Sequence, residues 1–220
     1  MTKKLHQLAR HIALALMTAL AFAPAQARTV ADFFAQEPGE VFSLLSASTR
    51  LDMVDYYHSG QKVEAENKFG GTSRIDTITD VYMRIRTSKA KTIELRMMPQ
   101  RKDTIIAVVE TVMLPTPDSH ITFYNSHWYR LREIKPMKEV PTTADFFLPT
   151  VDKNTRREML AQLPFDIIEM HFEGDNYGRL TAKHRLKEFL GKEEWEKWRP
   201  LLRPELNYTV DGMKIKPLKP

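Results

Sequence analysis

The sequence predicts an α+β protein in which an antiparallel β-sheet packs against N-terminal and C-terminal helices. Three observations carry that expectation. Residues 104–114 (TIIAVVETVML) are apolar at both parities, with Ile105, Val109 and Met113 on one and Ile106, Val108, Val112 and Leu114 on the other, as in a central strand covered on both faces. Just before it, two runs alternate with period two about a short turn near Ser88: Val81, Met83 and Ile85, then Ile93, Leu95 and Met97. Toward both ends of the chain the apolar period lengthens to that of helices.

Residues 1–27 stand apart. A basic start (Lys3, Lys4, Arg10), an apolar stretch over 12–22 and the small-residue triplet Ala25-Gln26-Ala27 make the three-part pattern of a secretory signal, with cleavage expected after Ala27. The apolar stretch falls well short of the ~20 residues a spanning helix needs. The expectation is a periplasmic or secreted chain with no transmembrane segment in its mature part. Residues 28–220 are expected to form a single α+β domain, with any subdomain boundary near 133–142.

Charge and cysteine content narrow the function classes. The chain has 33 Lys plus Arg against 28 Asp plus Glu, and three of the bases but none of the acids precede Arg28, leaving 30 against 28. That balance offers no electrostatic footprint for nucleic acid or an anionic membrane. The absence of cysteine excludes disulfides, thiolate metal sites, a cysteine nucleophile and a lipid-anchored N-terminal cysteine.

Residues 29–60 predict two helices. Pro38 suits the first turn of one that carries Val41, Phe42, Leu44 and Leu45. Ser48 caps the second, with Leu51, Met53, Val54 and Tyr57 inward and Gly60 as its stop. Gly70-Gly71 lacks the following helix that a phosphate loop requires and reads as a turn or bulge between strands at 63–69 and 72–79. In the 81–97 hairpin, placing Ile85 opposite Ile93 aligns both apolar sets and sets Arg84 opposite Glu94 and Tyr82 opposite Arg96. A slip by one residue would bury the charges, so the pattern fixes the pairing. The face bearing Arg84, Arg86 and Arg96 then reads as solvated, with an anion-binding strip as its functional alternative.

A strand at 120–124 leads into the aromatic-rich run 125–132 (NSHWYRLR). His120 and His127 are separated by a turn signal, and no third metal ligand is recognisable. Residues 133–141 read as a polar, proline-bounded surface linker. Thr143-Ala144-Asp145-Phe146-Phe147 then echoes Val30-Ala31-Asp32-Phe33-Phe34, and 165–169 (FDIIE) echoes 51–55 (LDMVD), a hint of internal duplication. The period argues against it: the first copy is helical, whereas Ile168, Met170 and Phe172 alternate with Glu169, His171 and Glu173 as in a half-buried strand whose polar side faces water. A further strand is expected at 179–185 and a short helical turn at 187–190. Residues 192–202 predict an amphipathic helix with Trp195, Trp198 and Leu202 inward, Glu193 paired with Lys197, and Pro200 ending it early. A hairpin over 208–215 turns at Asp211-Gly212.

No nucleophile elbow, zinc-protease motif, phosphate loop or dinucleotide fingerprint occurs. The sequence therefore assigns no catalytic residue, no metal site and no cofactor. The expected role is binding of a protein or peptide partner in the cell envelope, with Tyr82, Arg84, Arg96, His120, His127 and Trp128 as candidate contacts. Two alternatives are an envelope hydrolase acting on glycan or peptide, served by the 120–128 strip and by Glu169, His171 and Glu173, and a carrier of an apolar ligand held between helices and sheet.

Five runs, RLDMVDYY (50–57), GGTSRIDTITDVYMRI (70–85), ITFYNSHWYRL (121–131), FDIIEMHFE (165–173) and DGMKIKP (211–217), resemble those of a family of small exported Bacteroidetes proteins, domain of unknown function 3256. The resemblance spans nearly all of residues 28–220. It implies a periplasmic or secreted protein and brings no active-site residue with it.

Overall fold

A computed structural model describes residues 28–61, 63–101, 103–113, 115–131, 141–173, 178–212 and 214–218. The leader-like segment, nearly all of the expected 133–141 linker, and Leu114 lie outside the described residues. Two helices, α1 (Val30–Gln36) and α2 (Ala47–His58), precede six strands: β1 (Ala65–Glu66), β2 (Thr72–Ile78), β3 (Tyr82–Ser88), β4 (Lys91–Pro99), β5 (Thr104–Val112) and β6 (Asp118–Tyr124). These form one antiparallel sheet in chain order. A 3₁₀ turn (Thr143–Phe146) and α3 (Lys153–Leu160) lead to β7 (Ile168–Phe172) and β8 (Arg179–His184). Two short helices, α4 (Leu186–Phe189) and α5 (Lys192–Trp198), then precede β9 (Glu205–Asp211) and β10 (Lys214–Pro217). The last four strands make a second antiparallel sheet, ordered β10-β9-β8-β7.

The class is α+β, as the periodicities predict, with the strands divided between two sheets. The hairpin register is the one the alternation demands: Ile85 faces Ile93, Arg84 faces Glu94 and Tyr82 faces Arg96. Residues 104–112 of the 104–114 run form β5, paired on both sides and buried through its middle, although it is fifth of six strands rather than central. One face of the first sheet, including Met83, Ile85, Leu95 and Val108, packs under α1 and α2. The other, including Tyr82, Met98, Ala107 and Val109, shares a core with Met170, Leu180 and Tyr208 of the second sheet and with Trp198 and Leu202 beside it. On the Arg84–Arg96 face, Arg84 and Arg96 are therefore partly covered, while Arg86 stays exposed as the sequence predicts. Alternation fixes which residues share a face; what covers it is set by strands some eighty residues away.

Three side chains of the first sheet close the outer edge of β7. Asp118 accepts the Ile168 N–H at 3.0 Å, the Ser119 hydroxyl accepts Met170 N–H at 2.8 Å, and Glu94 accepts Phe172 N–H at 2.8 Å. Every second amide of an edge strand is thus paired without another strand, which both satisfies buried donors and locks the two sheets. Arg96 adds a strap, donating to the Val210 carbonyl at 2.9 Å while lying 5.9 Å from the centre of the Phe172 ring.

The N-terminal helices depart from expectation. Pro38 starts no helix, and residues 41–45 are turns. The cause is Glu37, whose buried carboxylate accepts the N–H groups of Gly39, Glu40 and Val41 at 2.7–2.9 Å, with Phe42 at 3.3 Å. Arg50, equally buried, sits 3.7 Å from that carboxylate and donates to the carbonyls of Leu45 and Glu37. Burial lowers the Arg50 pKa and Glu37 opposes that shift. Ser46, not Ser48, caps α2 by accepting the Thr49 N–H. Leu51 faces solvent, Met53 and Val54 face the core, and Tyr57 is half-buried.

The two Ala-Asp-Phe-Phe echoes adopt the same cap. Thr29 and Thr142 each donate backbone N–H and hydroxyl to the aspartate three residues on, Asp32 and Asp145, at 2.7–2.9 Å. Each places its two phenylalanines in a core, Phe33 and Phe34 under the first sheet and Phe146 and Phe147 under the second. The second echo does not follow: residues 51–55 are helical, whereas 165–169 run through a loop into β7. At the C-terminal end, Lys197 pairs with Glu194 rather than Glu193, and Arg199-Pro200-Leu201 form a 3₁₀ turn that ends α5.

Candidate functional site

Two cavities bring chemically distinct side chains together. The first lies where the sheets meet and holds about 200 Å³, lined by Arg84, Glu94, Glu169, His171, Lys183 and Arg185. Glu94 is only 2% exposed, and burial pushes its carboxyl above the ordinary value. The Phe172 N–H, Arg84 and a hydrogen bond with Tyr82 oppose that rise, and Glu169 reinforces it. Burial, then Lys183, holds His171 below the usual histidine range, so its imidazole is neutral at neutral pH. Glu169 is bound by Arg185, and Lys183 pairs with Glu205 at 3.5 Å. The acid one would nominate for proton transfer, Glu94, lines the cavity wall with its carboxylate committed to the Phe172 N–H and 3.7 Å from Arg84, so the arrangement is a structural joint with a polar mouth.

The second cavity, about 340 Å³, opens between α2 and the start of the first sheet. β1 pairs with β2 only at Ala65–Ser73 and Glu66–Thr72. Before Ala65 the chain peels away, so that Val63 and Glu64 form one wall and Arg74, Ile75 and Asp76 of β2 the other, with Met53 and Tyr57 of α2 completing the lining. Arg74 bonds Asp76 at 2.9 Å and lies 3.9 Å from Glu64, while Arg86 reaches Asp76 at 3.7 Å. At the far end of the same hairpin the side-chain oxygen of Asn67 accepts the N–H groups of Phe69 and Gly71, both at 3.1 Å. The Lys68 N–H donates to the Leu44 carbonyl, and Gly70 takes the left-handed φ of +72° that the turn needs. The doubled glycine is thus a turn, and it presents Phe69 86% exposed. Leu51, Tyr56 and Val63 are further exposed apolar residues on α2 and the segment after it.

The residues nominated from sequence do not assemble into one site. Tyr82 is buried edge-on against Phe172, with ring centres 6.4 Å apart. Arg84 lines the seam cavity, and Arg96 is the inter-sheet strap. His120 is exposed on β6 opposite Glu110, and His127 is exposed in the loop after Tyr124. Trp128 is buried and donates its indole N–H to the Phe33 carbonyl at 3.1 Å, anchoring that loop to α1 with a φ of +64°. Glu169 meets the Asp118 end of β6, so the seven-residue strand, roughly 20 Å, separates it from His127. Among the described residues no three His, Asp or Glu side chains gather as a metal site. Sequence reasoning missed Glu94 as a buried joint and missed the cleft beside β2. The signal the sequence did carry was Phe69 followed by Gly70-Gly71.

The fold so defined is an antiparallel α+β pair of sheets, with α1 and α2 over one face of the first and the later helical segments sharing the core between the first sheet's other face and the second. The chain belongs to the DUF3256 family of proteins of unknown function, whose model matches residues 22–215. It is similar in fold to a solved domain of an uncharacterized protein from Porphyromonas gingivalis W83, with a TM-score of 0.73 and 22% identity over 87% of this chain and 98% of that one. A search of curated proteins gave no match. None of the described helices is long and apolar enough to cross a membrane.

Proposed function

We propose that this is an exported, non-catalytic protein of the cell envelope, that residues 28–220 act as one domain, and that it binds a protein or peptide partner at the end formed by α2 and the β1–β2 hairpin. Export is supported by the leader pattern in residues 1–27. The observation that carries the binding reading is Phe69: a fully presented aromatic on a turn held by backbone and Asn67 hydrogen bonds has little conformational entropy left to lose on docking. A phenylalanine merely tolerated at a surface has no need of such a mount. A carrier role is disfavoured, because apolar cargo in the cleft beside β2 would lie against Glu64, Arg74 and Asp76. A hydrolase is disfavoured because both acids of the seam cavity are already engaged.

The test is recovery of a partner from solubilised envelope by the tagged chain, by Phe69→Ala and by Tyr129→Ala, the last removing an exposed aromatic from the 125–131 loop. One partner retained by wild type and Tyr129→Ala, and weakened at least ~10-fold by Phe69→Ala, is the expected result. Equal recovery by Phe69→Ala, or fractionation of the chain with the cytosol, would remove the reading.

A further inference from the structure

We propose that the occupant of the cleft is an extended basic peptide segment that adds as a strand to the open outer edge of β2. The inference rests on the partner-binding reading above and specifies its mode.

The argument starts from how the sheet edges are closed. An unpaired edge is a template for another chain, and proteins blunt edges they do not use. The edge strand β10 carries Lys214, Lys216 and Pro217, a charged and donor-poor rim. The edge of β7 is closed by Asp118, Ser119 and Glu94. The far end of β6 is bridged by Arg130 to Tyr124, and Phe123 accepts the Leu131 N–H. On the remaining edge, β1 covers only Thr72 and Ser73, and among the described residues no strand lies outside 74–78 of β2. This stretch, Arg-Ile-Asp-Thr-Ile, contains neither lysine nor proline. A register shift between Ile75 and Thr77 adds local twist, and space remains beside it: the 340 Å³ cleft runs along Arg74, Ile75 and Asp76 where the next strand would lie, about 4.8 Å out. Main-chain bonds to an exposed edge with alternate side chains dropped into flanking pockets is an established mode of peptide capture.

The lining sets the peptide's chemistry. Met53, Tyr57 and Ile75 offer apolar contact, and Glu64 and Asp76 are matched by Arg74 and Arg86, so the charge bias comes from the acids around the cleft. Asp52 and Asp55 on α2 and Glu66 on β1 are exposed and in no ion pair with a described residue, so the surroundings favour cationic side chains alternating with apolar ones.

The test uses fluorescent nine-residue peptides of alternating Lys and Val or Ile, measured by anisotropy against the purified full chain. One control has alternate backbone amides N-methylated, and another has Glu in place of Lys. The basic peptide is expected to bind, with at least ~10-fold weaker binding of each control and of the basic peptide to Glu64→Lys, a substitution at an exposed position that leaves the fold intact. Equal binding of the N-methylated peptide overturns strand addition, and equal binding of the Glu peptide overturns the charge assignment. If no peptide binds while Phe69 is still needed for partner recovery, strand addition fails and the partner reading survives. A dimer in sedimentation velocity that Glu64→Lys dissociates would make a second copy of this chain the occupant and overturn the proposal.

Discussion

Replacing Glu94 tests the joint between the two sheets. Its carboxylate accepts the Phe172 N–H at 2.8 Å at the joint of the sheets, where both residues are buried. Glu94→Ala leaves that amide without a partner, and an orphaned buried donor costs about 1–3 kcal/mol. For a chain of this length each kcal/mol lowers the melting temperature by about 2–4 °C. Glu94→Gln keeps an acceptor for Phe172 and removes the buried charge, so it should match or exceed wild-type stability at neutral pH. The pH dependence supplies a second readout. Burial raises the folded-state pKa above the 4.5 of a free glutamate, so the folded protein holds the proton more tightly than the unfolded chain does. The contribution is therefore fully present below about pH 4.5 and is lost as pH rises through the folded value. Wild type should lose stability relative to Glu94→Gln as pH rises from about 4.5. Urea titrations followed by circular dichroism at pH 4–8 measure both effects. A loss below ~0.5 kcal/mol in Glu94→Ala, together with parallel pH profiles for wild type and Glu94→Gln, would refute the joint.

Further outcomes follow from burial elsewhere. Arg50→Leu strands the Glu37 carboxylate in the core and should cost about 3–5 kcal/mol, read from the urea midpoint; Arg50→Leu with Glu37→Leu should recover part of the loss. Val109→Asp puts a charge at a position with no exposure, at a cost of several kcal/mol against a total of ~5–15, so its circular dichroism should show an unfolded chain at 25 °C. Phe69→Ala and Glu64→Lys, both at exposed positions, should melt within about 1–2 °C of wild type, so that any binding they abolish is not a folding defect.

Much of the fold is legible because strand registers leave a period-two record. Ile85 opposite Ile93 and Arg84 opposite Glu94 follow from alternation alone, and Asp211-Gly212 marks the β9–β10 turn, where Gly212 has a φ of +59°. What covers a face is not local. Glu94 reads as the solvated partner of Arg84 until Phe172, 78 residues on, brings its amide to it. The same limit hides Arg50, whose carbonyl partners lie between Ala35 and Leu45, and it explains why residues 41–45 with their helical period are turns around Glu37. The cleft was not legible because it exists where β1 stops after two residues, and the length of an edge strand depends on the path of its neighbours. His120 and His127 stand out by residue type alone, and the chain gives each its own stretch of surface.

The most direct test of the binding account is hydrogen exchange of the full chain with and without the partner recovered through Phe69. The account predicts added protection at residues 63–69 and 74–78 and unchanged exchange in β7 and β10. Protection confined to the 120–129 strip or to the seam around His171, with residues 74–78 unchanged, would contradict it.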